Sequence, residues 1–235
     1  MASNSQSANP VAVRAAALVG LVGAAASAAL GIVVQAAVQP WTAVSDDRWS
    51  YPWTPKQYVG FSLLGAAVDL LIAIGLVGFA RSGIARSRRA ARWGTGLAVA
   101  GTVALTVAQA CSILVRDQPV DNGGAGAVSA LFGAAAVLLA VGFVLAGVAT
   151  WRHGAWTGWR AATPFAVGAC ALALVGLAPT KALPSAVSAF SLSLVALFIA
   201  LDTHPAPTEG TLAERAVRNP ATTRRAGTPA DVTVA

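Results

Sequence analysis

The feature that most constrains this chain is where its charges are missing. No Asp, Glu, Lys or Arg occurs between Arg14 and Asp46, Arg92 and Arg116, Asp121 and Arg152, Arg160 and Lys181, or Lys181 and Asp202, and the run from Gln57 to Ala80 holds only Asp69. A helix needs about 20 predominantly apolar residues to cross a bilayer. Six segments approach or exceed that length: about 15–38, 59–80, 93–115, 126–149, 161–178 and 184–201. In hydrocarbon the backbone must satisfy its own N–H and C=O groups, so each segment is predicted to be a helix. The expected fold is all-α, a polytopic bundle of six transmembrane helices. It has a short N-terminus over 1–14 and a disordered tail over 202–235.

Composition agrees with this reading. Of the 235 residues, 56% are hydrophobic and 11% charged, whereas a soluble domain carries about 25% charged residues. The net charge of +7 comes from 14 Arg and 2 Lys against 9 acids. The arginines lie between apolar runs and not along one soluble face, so nucleic acid is not an expected partner. Cys111 and Cys170 both fall inside apolar runs, away from any Cys or His at metal spacing. They read as inert packing residues, and no metal or cofactor is expected.

The first apolar run is too long for the core of a secretory leader, which spans about 7–15 residues. It is expected to stay as a helix. Pro164 is expected in the first turn of the fifth helix, where a missing N–H does no harm.

Arginine placement orients the bundle. The stretch RSGIARSRRAAR, Arg81 to Arg92, holds five arginines, and Arg152 and Arg160 flank the next loop on that side. The alternate side holds Arg48, Lys56, Arg116 and Lys181, while the tail adds Arg215, Arg218, Arg224 and Arg225 to the richer side. Both termini are therefore expected in the cytoplasm, of a protein of the cell membrane. Trp41, Trp49, Tyr51, Trp53 and Tyr58 are expected at the outer interface, and Trp93, Trp151, Trp156 and Trp159 at the inner one, where amphipathic rings suit the headgroups. The basic loop Arg81 to Arg92 is expected to touch anionic lipid headgroups.

LLGAAVDLL (Leu63 to Leu71) echoes LFGAAAVLL (Leu131 to Leu139), and Arg14, Arg92 and Arg160 each open an outward-running helix. Three tandem helical hairpins would account for both facts. The tail is too polar to pack. Within it TLAERAVR (Thr211 to Arg218) has Thr and Glu at capping-box spacing, and Thr222, Thr223 and Thr228 are candidate modification sites.

The stretch SDDRWSYPWTP (Ser45 to Pro55), with GLVGFARSG (Gly75 to Gly83) closing the next helix, resembles a group of uncharacterised actinobacterial multi-pass integral membrane proteins. The resemblance covers roughly 44–83. It implies the same threading and brings no known activity and no catalytic residues.

Enzyme signatures are not legible. No Gly-rich phosphate loop, nucleophile elbow or zinc motif occurs. His153 and His204 lie in a loop and the tail, so no pair of imidazoles is available within the spans to hold a haem. The outer loop over 40–58 offers Asp46, Asp47, Arg48 and Trp49 as a candidate site for a cation, sugar or lipid headgroup. Two adjacent carboxylates do not make a hard-cation cage, so an interfacial loop pinned by Trp and stiffened by Pro is the competing reading.

Asp69 is the intramembrane residue that most needs an explanation. Its insertion costs about 2.5–3.5 kcal/mol, which the Leu, Ile, Val and Phe residues of 59–80 outweigh at about −0.3 to −0.6 kcal/mol each. Gly65, Ala66, Ile72 and Ala73 are its neighbours at helical spacing, and small residues let helices approach. No Lys or Arg lies in any span to pair with it, which favours the neutral acid. Its expected partners are hydroxyls and amides: Gln35, Gln109 and Thr106 first, with Ser62, Thr102, Ser188 and Ser191. Three functions follow. The chain is a non-enzymatic membrane protein in which Asp69 ties helices together, a small proton- or cation-coupled transporter using Asp69, or a lipid- or cell-wall-modifying enzyme using the outer loop.

Overall fold

The computed structural model describes residues 9–82, 89–152, 156–178 and 180–203. Arg86 and Arg88 of the basic loop, His153, His204, the tail helix expected at Thr211 to Arg218 and the tail threonines lie outside the described residues. The helical unit ends at Asp202.

Six long helices follow in chain order: α1 (Pro10–Val33), α2 (Pro55–Arg81), α3 (Arg89–Ser112), α4 (Gly123–Arg152), α5 (Trp159–Leu177) and α6 (Leu183–Asp202). All six are long and apolar enough to cross a membrane. The fold is an all-α bundle. Among the described residues the only β-type pairing is an isolated bridge between Arg48 and Pro119.

Local chemistry explains the helix ends. Asn9 Oδ1 accepts the Val11 N–H at 3.0 Å, and Pro10 occupies the first position of α1, where its missing N–H is not needed. Thr54 and Gln57 form a reciprocal capping box ahead of α2, satisfying two otherwise orphaned N–H groups. α1 does not stop at Val33. It widens into a π turn over Val34–Val38 and then tightens into a 3₁₀ turn over Gln39–Trp41.

The expectation for Pro164 is corrected by the structure. α5 begins at Trp159, so Pro164 lies beyond its first turn. The carbonyl left without its usual N–H is that of Arg160, four residues earlier. Thr163 Oγ1 donates to that oxygen at 2.9 Å and replaces the lost bond from one residue away.

Each helix packs against the next, and α6 packs against α1, closing a ring. Close approaches define antiparallel registers. A Cβ on Gly20 would lie 2.7 Å from Gly75 Cα and 2.7 Å from Phe198 Cζ, so α1, α2 and α6 meet there. A Cβ on Gly94 would meet the Gly142 carbonyl at 2.7 Å, and one on Gly142 would meet Ala98 N at 2.6 Å. Gly94 with Ala98, and Gly142 with Ala146, are thus the small residues at four-residue spacing that bring α3 and α4 together. The buried core runs through Leu76, Phe79, Leu139, Phe143, Leu197 and Phe198.

Serines bind α6 to α1. Ser191 Oγ donates to Ser27 Oγ at 2.8 Å, and Ser188 Oγ to the Ala28 carbonyl at 3.3 Å. The same pair of helices ends in an ion pair, Arg14 Nε to Asp202 Oδ1 at 2.8 Å.

The two ends of the ring differ. At the aromatic end the loop after α1 meets the loop after α3: Trp49 N–H bonds Gln118 O at 3.0 Å and Val120 N–H bonds Asp47 O at 2.8 Å. Lys181, before α6, pairs with Asp46 there. Trp49 Nε1 donates to Tyr58 Oη at 3.0 Å, and Trp53 and Tyr58 pack on Phe61. These rings form a packed cluster, not only an interfacial girdle. The arginine end carries Arg14, Arg81, Arg89, Arg92, Arg152 and Arg160. There Trp93 and Trp151 are exposed, as ring anchors should be. Trp156, by contrast, is only 3% exposed and lies against Phe79 with centroids 5.8 Å apart. It plugs the bundle and does not face lipid.

Candidate functional site: the α2–α3 seam

Polar residues on α2 fall on one face. Tyr58, Ser62, Gly65 and Asp69 are spaced four, three and four residues apart, which keeps them on a single side of a helix. That side meets α3. Ser62 Oγ and Ser112 Oγ are 3.3 Å apart and buried. Gly65 leaves room for Gln109, whose Nε2 would stand 3.0 Å from any Cβ added there. Both pairs share one antiparallel register, and one turn further it brings Asp69 level with Leu105 and Thr106. Asp69 is half-buried on this face, while Leu63, Leu70 and Ile74 on the opposite face of α2 are exposed.

The seam changes character at Asp69. From the aromatic end down to Asp69 it is lined by Tyr58, Ser62, Ser112 and Gln109. Below Asp69 the large buried side chains of α2 are Ile72, Leu76 and Phe79, each at most 3% exposed. Phe79 is backed by Trp156. On α2 one half of the seam is therefore polar and the other apolar, and the α3 hydroxyls facing the apolar half, Thr102 and Thr95, are bonded back into their own helix.

A hydrogen-bonded tie through Asp69 requires a partner. Among the described residues its carboxyl makes no hydrogen bond and no ion pair. The hydroxyls among the expected partners, and Gln35, are engaged elsewhere. Thr102 Oγ1 donates to Ala98 O at 2.9 Å and Thr106 Oγ1 to Thr102 O at 3.2 Å. Ser188 and Ser191 belong to the α1–α6 seam. Gln35 lies in the π turn after α1 and accepts from Ser185 Oγ at 3.2 Å. The structure thus brings Gln109 and Thr106 to the seam of Asp69 and puts Gln35 on a different one.

The outer-loop residues are not gathered over a cavity. Asp46 faces Lys181 at 2.9 Å, and Arg48 and Trp49 hold the bridge to the loop after α3. A groove of about 260 Å³ opens nearby, lined by Trp41, Pro52, Trp53 and Gln57 among others, and none of Asp46, Asp47, Arg48 or Trp49 lines it. Ser50 Oγ, Trp53 Nε1 and Gln118 Oε1 are buried at this end without a protein partner. Among the described residues no group of three or more His, Cys, Asp or Glu side chains is placed to hold a metal.

The lone acid was legible as an anomaly in the apolar run. The stripe leading to it was also present in the sequence, as the spacing of Tyr58, Ser62, Gly65 and Asp69, but a tyrosine and a serine near a span end do not stand out until α3 supplies Ser112 and Gln109 opposite them. No protein-family model, curated protein or solved structure matches this chain.

Proposed function

We propose that this chain is a multi-pass protein of the cell membrane with both termini in the cytoplasm. Its activity is proton- or cation-coupled transport through Asp69. The observation that carries the reading is a carboxyl with no partner among the described residues, at the foot of a polar seam between two helices. A carboxyl held only for stability would be expected to spend its hydrogen-bonding capacity on the hydroxyls around it, and here those are bonded to one another or to backbone. Ionisable groups inside a membrane domain mark ion or proton pathways by default. The orientation rests on the arginine end facing the cytoplasm.

The test is flux. Purified protein in liposomes, loaded with a pH-sensitive dye, is given a proton, sodium or potassium gradient in turn. The wild type is expected to dissipate at least one gradient, and Asp69→Asn is expected to fold and to lose that flux. Asn keeps the shape and hydrogen-bonding capacity of Asp but carries no titrating proton. No flux from the wild type under any gradient would overturn the reading in favour of a bundle without transport activity.

A further inference from the structure

We propose that the species Asp69 takes up is a proton, not a metal cation, and that in this conformation it exchanges only with the compartment at the aromatic end of the ring. The inference rests on Asp69 being the working group of the chain, and it names the ligand and the side.

The ligand follows from counting oxygens. A hard cation such as Ca²⁺ wants about 6–8 oxygen ligands. The seam at this level offers the Asp69 carboxylate, the Gln109 amide and the Thr106 hydroxyl, and Thr106 already donates to Thr102 O. The backbone carbonyls of α2 and α3 are engaged in their own helices. Among the described residues no second acid or histidine joins Asp69 in a metal-holding group. A proton needs only the carboxylate itself. Hydronium gives its proton to Asp69, leaving a carboxylic acid and water, so nothing else need be supplied.

The side follows from the seam. Towards the aromatic end, hydroxyls and an amide recur at each turn: Tyr58, Ser62 with Ser112 at 3.3 Å, then Gln109 over Gly65. At the head of this stripe Trp49 Nε1 bonds Tyr58 Oη. The neighbouring buried groups Ser50 Oγ and Gln118 Oε1 have no protein partner. Towards the arginine end the α2 wall presents Ile72, Leu76 and Phe79, closed by Trp156, and the buried hydroxyls beyond Asp69, Thr102, Thr95 and Ser82, each donate to a carbonyl of their own helix and form no chain across the seam.

No other charge among the described residues competes near this level. The titratable or charged groups of the flanking elements are Arg14 of α1; Lys56, Tyr58 and Arg81 of α2; and Arg89, Arg92 and Cys111 of α3. The arginines lie at the far end, Lys56 and Tyr58 lie at the aromatic end, and Cys111 lies two residues beyond Gln109. The titration of Asp69 is therefore read against a neutral surround.

Dicyclohexylcarbodiimide, a membrane-permeant carbodiimide, reacts with protonated carboxyls in apolar surroundings and tests both halves without needing transport. The full-length protein is reconstituted, and the orientation of each population is fixed with an impermeant amine reagent, since both lysines, Lys56 and Lys181, lie at the aromatic end. The carbodiimide adduct is located to the peptide holding Asp69 by mass spectrometry while pH is varied on one side at a time. Labelling is expected to follow pH on the aromatic side, falling roughly tenfold per pH unit on the alkaline limb. It is expected to ignore pH on the arginine side and added sodium, potassium or calcium. Labelling that tracks the arginine side, or protection by a metal cation, overturns the inference. Labelling that follows the aromatic side in a protein without flux would uphold this inference and remove the transport reading, so the two fail separately.

Discussion

Lys181 Nζ lies 2.9 Å from Asp46 Oδ2, an ion pair that joins the first loop of the aromatic end to the last. Its two charges shift each other. The Lys181 ammonium holds the Asp46 carboxyl below its ordinary 3.8, and Asp46 holds Lys181 above its ordinary 10.5. A depressed acid stabilises the fold above its unfolded value, and that contribution is lost as pH falls through the lower folded value. A raised base stabilises below its unfolded value and loses that contribution as pH rises through the higher folded one. The pair is thus intact across the neutral range and opens in strong acid or strong base. Both side chains are exposed, so the effect is small and salt-sensitive. Lys181→Met is expected to lower the thermal midpoint in detergent slightly at pH 7 and low salt. The difference should shrink as pH falls through the lowered Asp46 value and vanish in about 1 M salt. A difference that survives acid would mean that the lysine acts through packing.

The glycine crossings make a sharper prediction. Adding a Cβ at Gly75 would place it 2.6 Å from Gly20 Cα, against backbone that cannot swing aside. Gly75→Ala is expected to push α1 and α2 apart at a cost of about 1–3 kcal/mol, the usual penalty for overpacking. Gly96 is the control, because a Cβ there meets nothing within 4 Å. Gly96→Ala should be neutral or stabilising by up to about 1 kcal/mol, from helix propensity alone. Unfolding titrations in mixed micelles compare the two, and equal costs would contradict the crossing geometry.

How far the sequence carried this picture depends on what kind of signal each feature leaves. The helices were legible because hydrocarbon permits little else, and their limits follow the charge-free runs to within a few residues. The ring was not legible, since Leu and Val facing lipid look the same as Leu and Val facing a neighbour. The echo between Leu63–Leu71 and Leu131–Leu139 illustrates the difficulty. Asp69 is turned to α3, whereas Val137, at the matching position, is 45% exposed, so the likeness in sequence is not carried into burial. By sequence Trp156 reads as an interface anchor, because composition cannot distinguish a Trp that anchors from one that plugs. Asp69 stood out at once, but its lack of a partner depends on where Thr102, Thr106 and Gln35 turn, and that is settled by packing.

The Thr163–Pro164 arrangement in α5 is open to a double-mutant test. Thr163 Oγ1 bonds the Arg160 carbonyl that Pro164 leaves without a donor. Thr163→Val keeps the side-chain shape and removes the hydroxyl, and is expected to cost about 1 kcal/mol. In a Pro164→Ala background the backbone regains an N–H at that position to serve the same carbonyl, so the Thr163→Val penalty should shrink towards zero. The coupling is read from unfolding midpoints of the four proteins. Equal penalties in both backgrounds would show that the hydroxyl and the missing N–H are unrelated.

The two lysines test the threading most directly. Lys56 opens α2 and Lys181 precedes α6, so four helices lie between them, and if all four cross the bilayer the two amines emerge on one side. Lys181 is held at that end by Asp46 in the first loop, which agrees with an even number of crossings. An impermeant amine reagent applied to intact cells is expected to label Lys56 and Lys181 together. An impermeant thiol reagent should reach Arg89→Cys, an exposed position at the arginine end, only after the membrane is opened. The sides expected follow from charge, since loops rich in Lys and Arg are retained in the cytoplasm during insertion. Labelling of both lysines only after permeabilisation would invert the orientation and leave the fold intact. Labelling of one lysine without permeabilisation and the other only after it would mean that one of α2 to α5 does not cross, and the ring could not then sit in a bilayer as a six-span bundle.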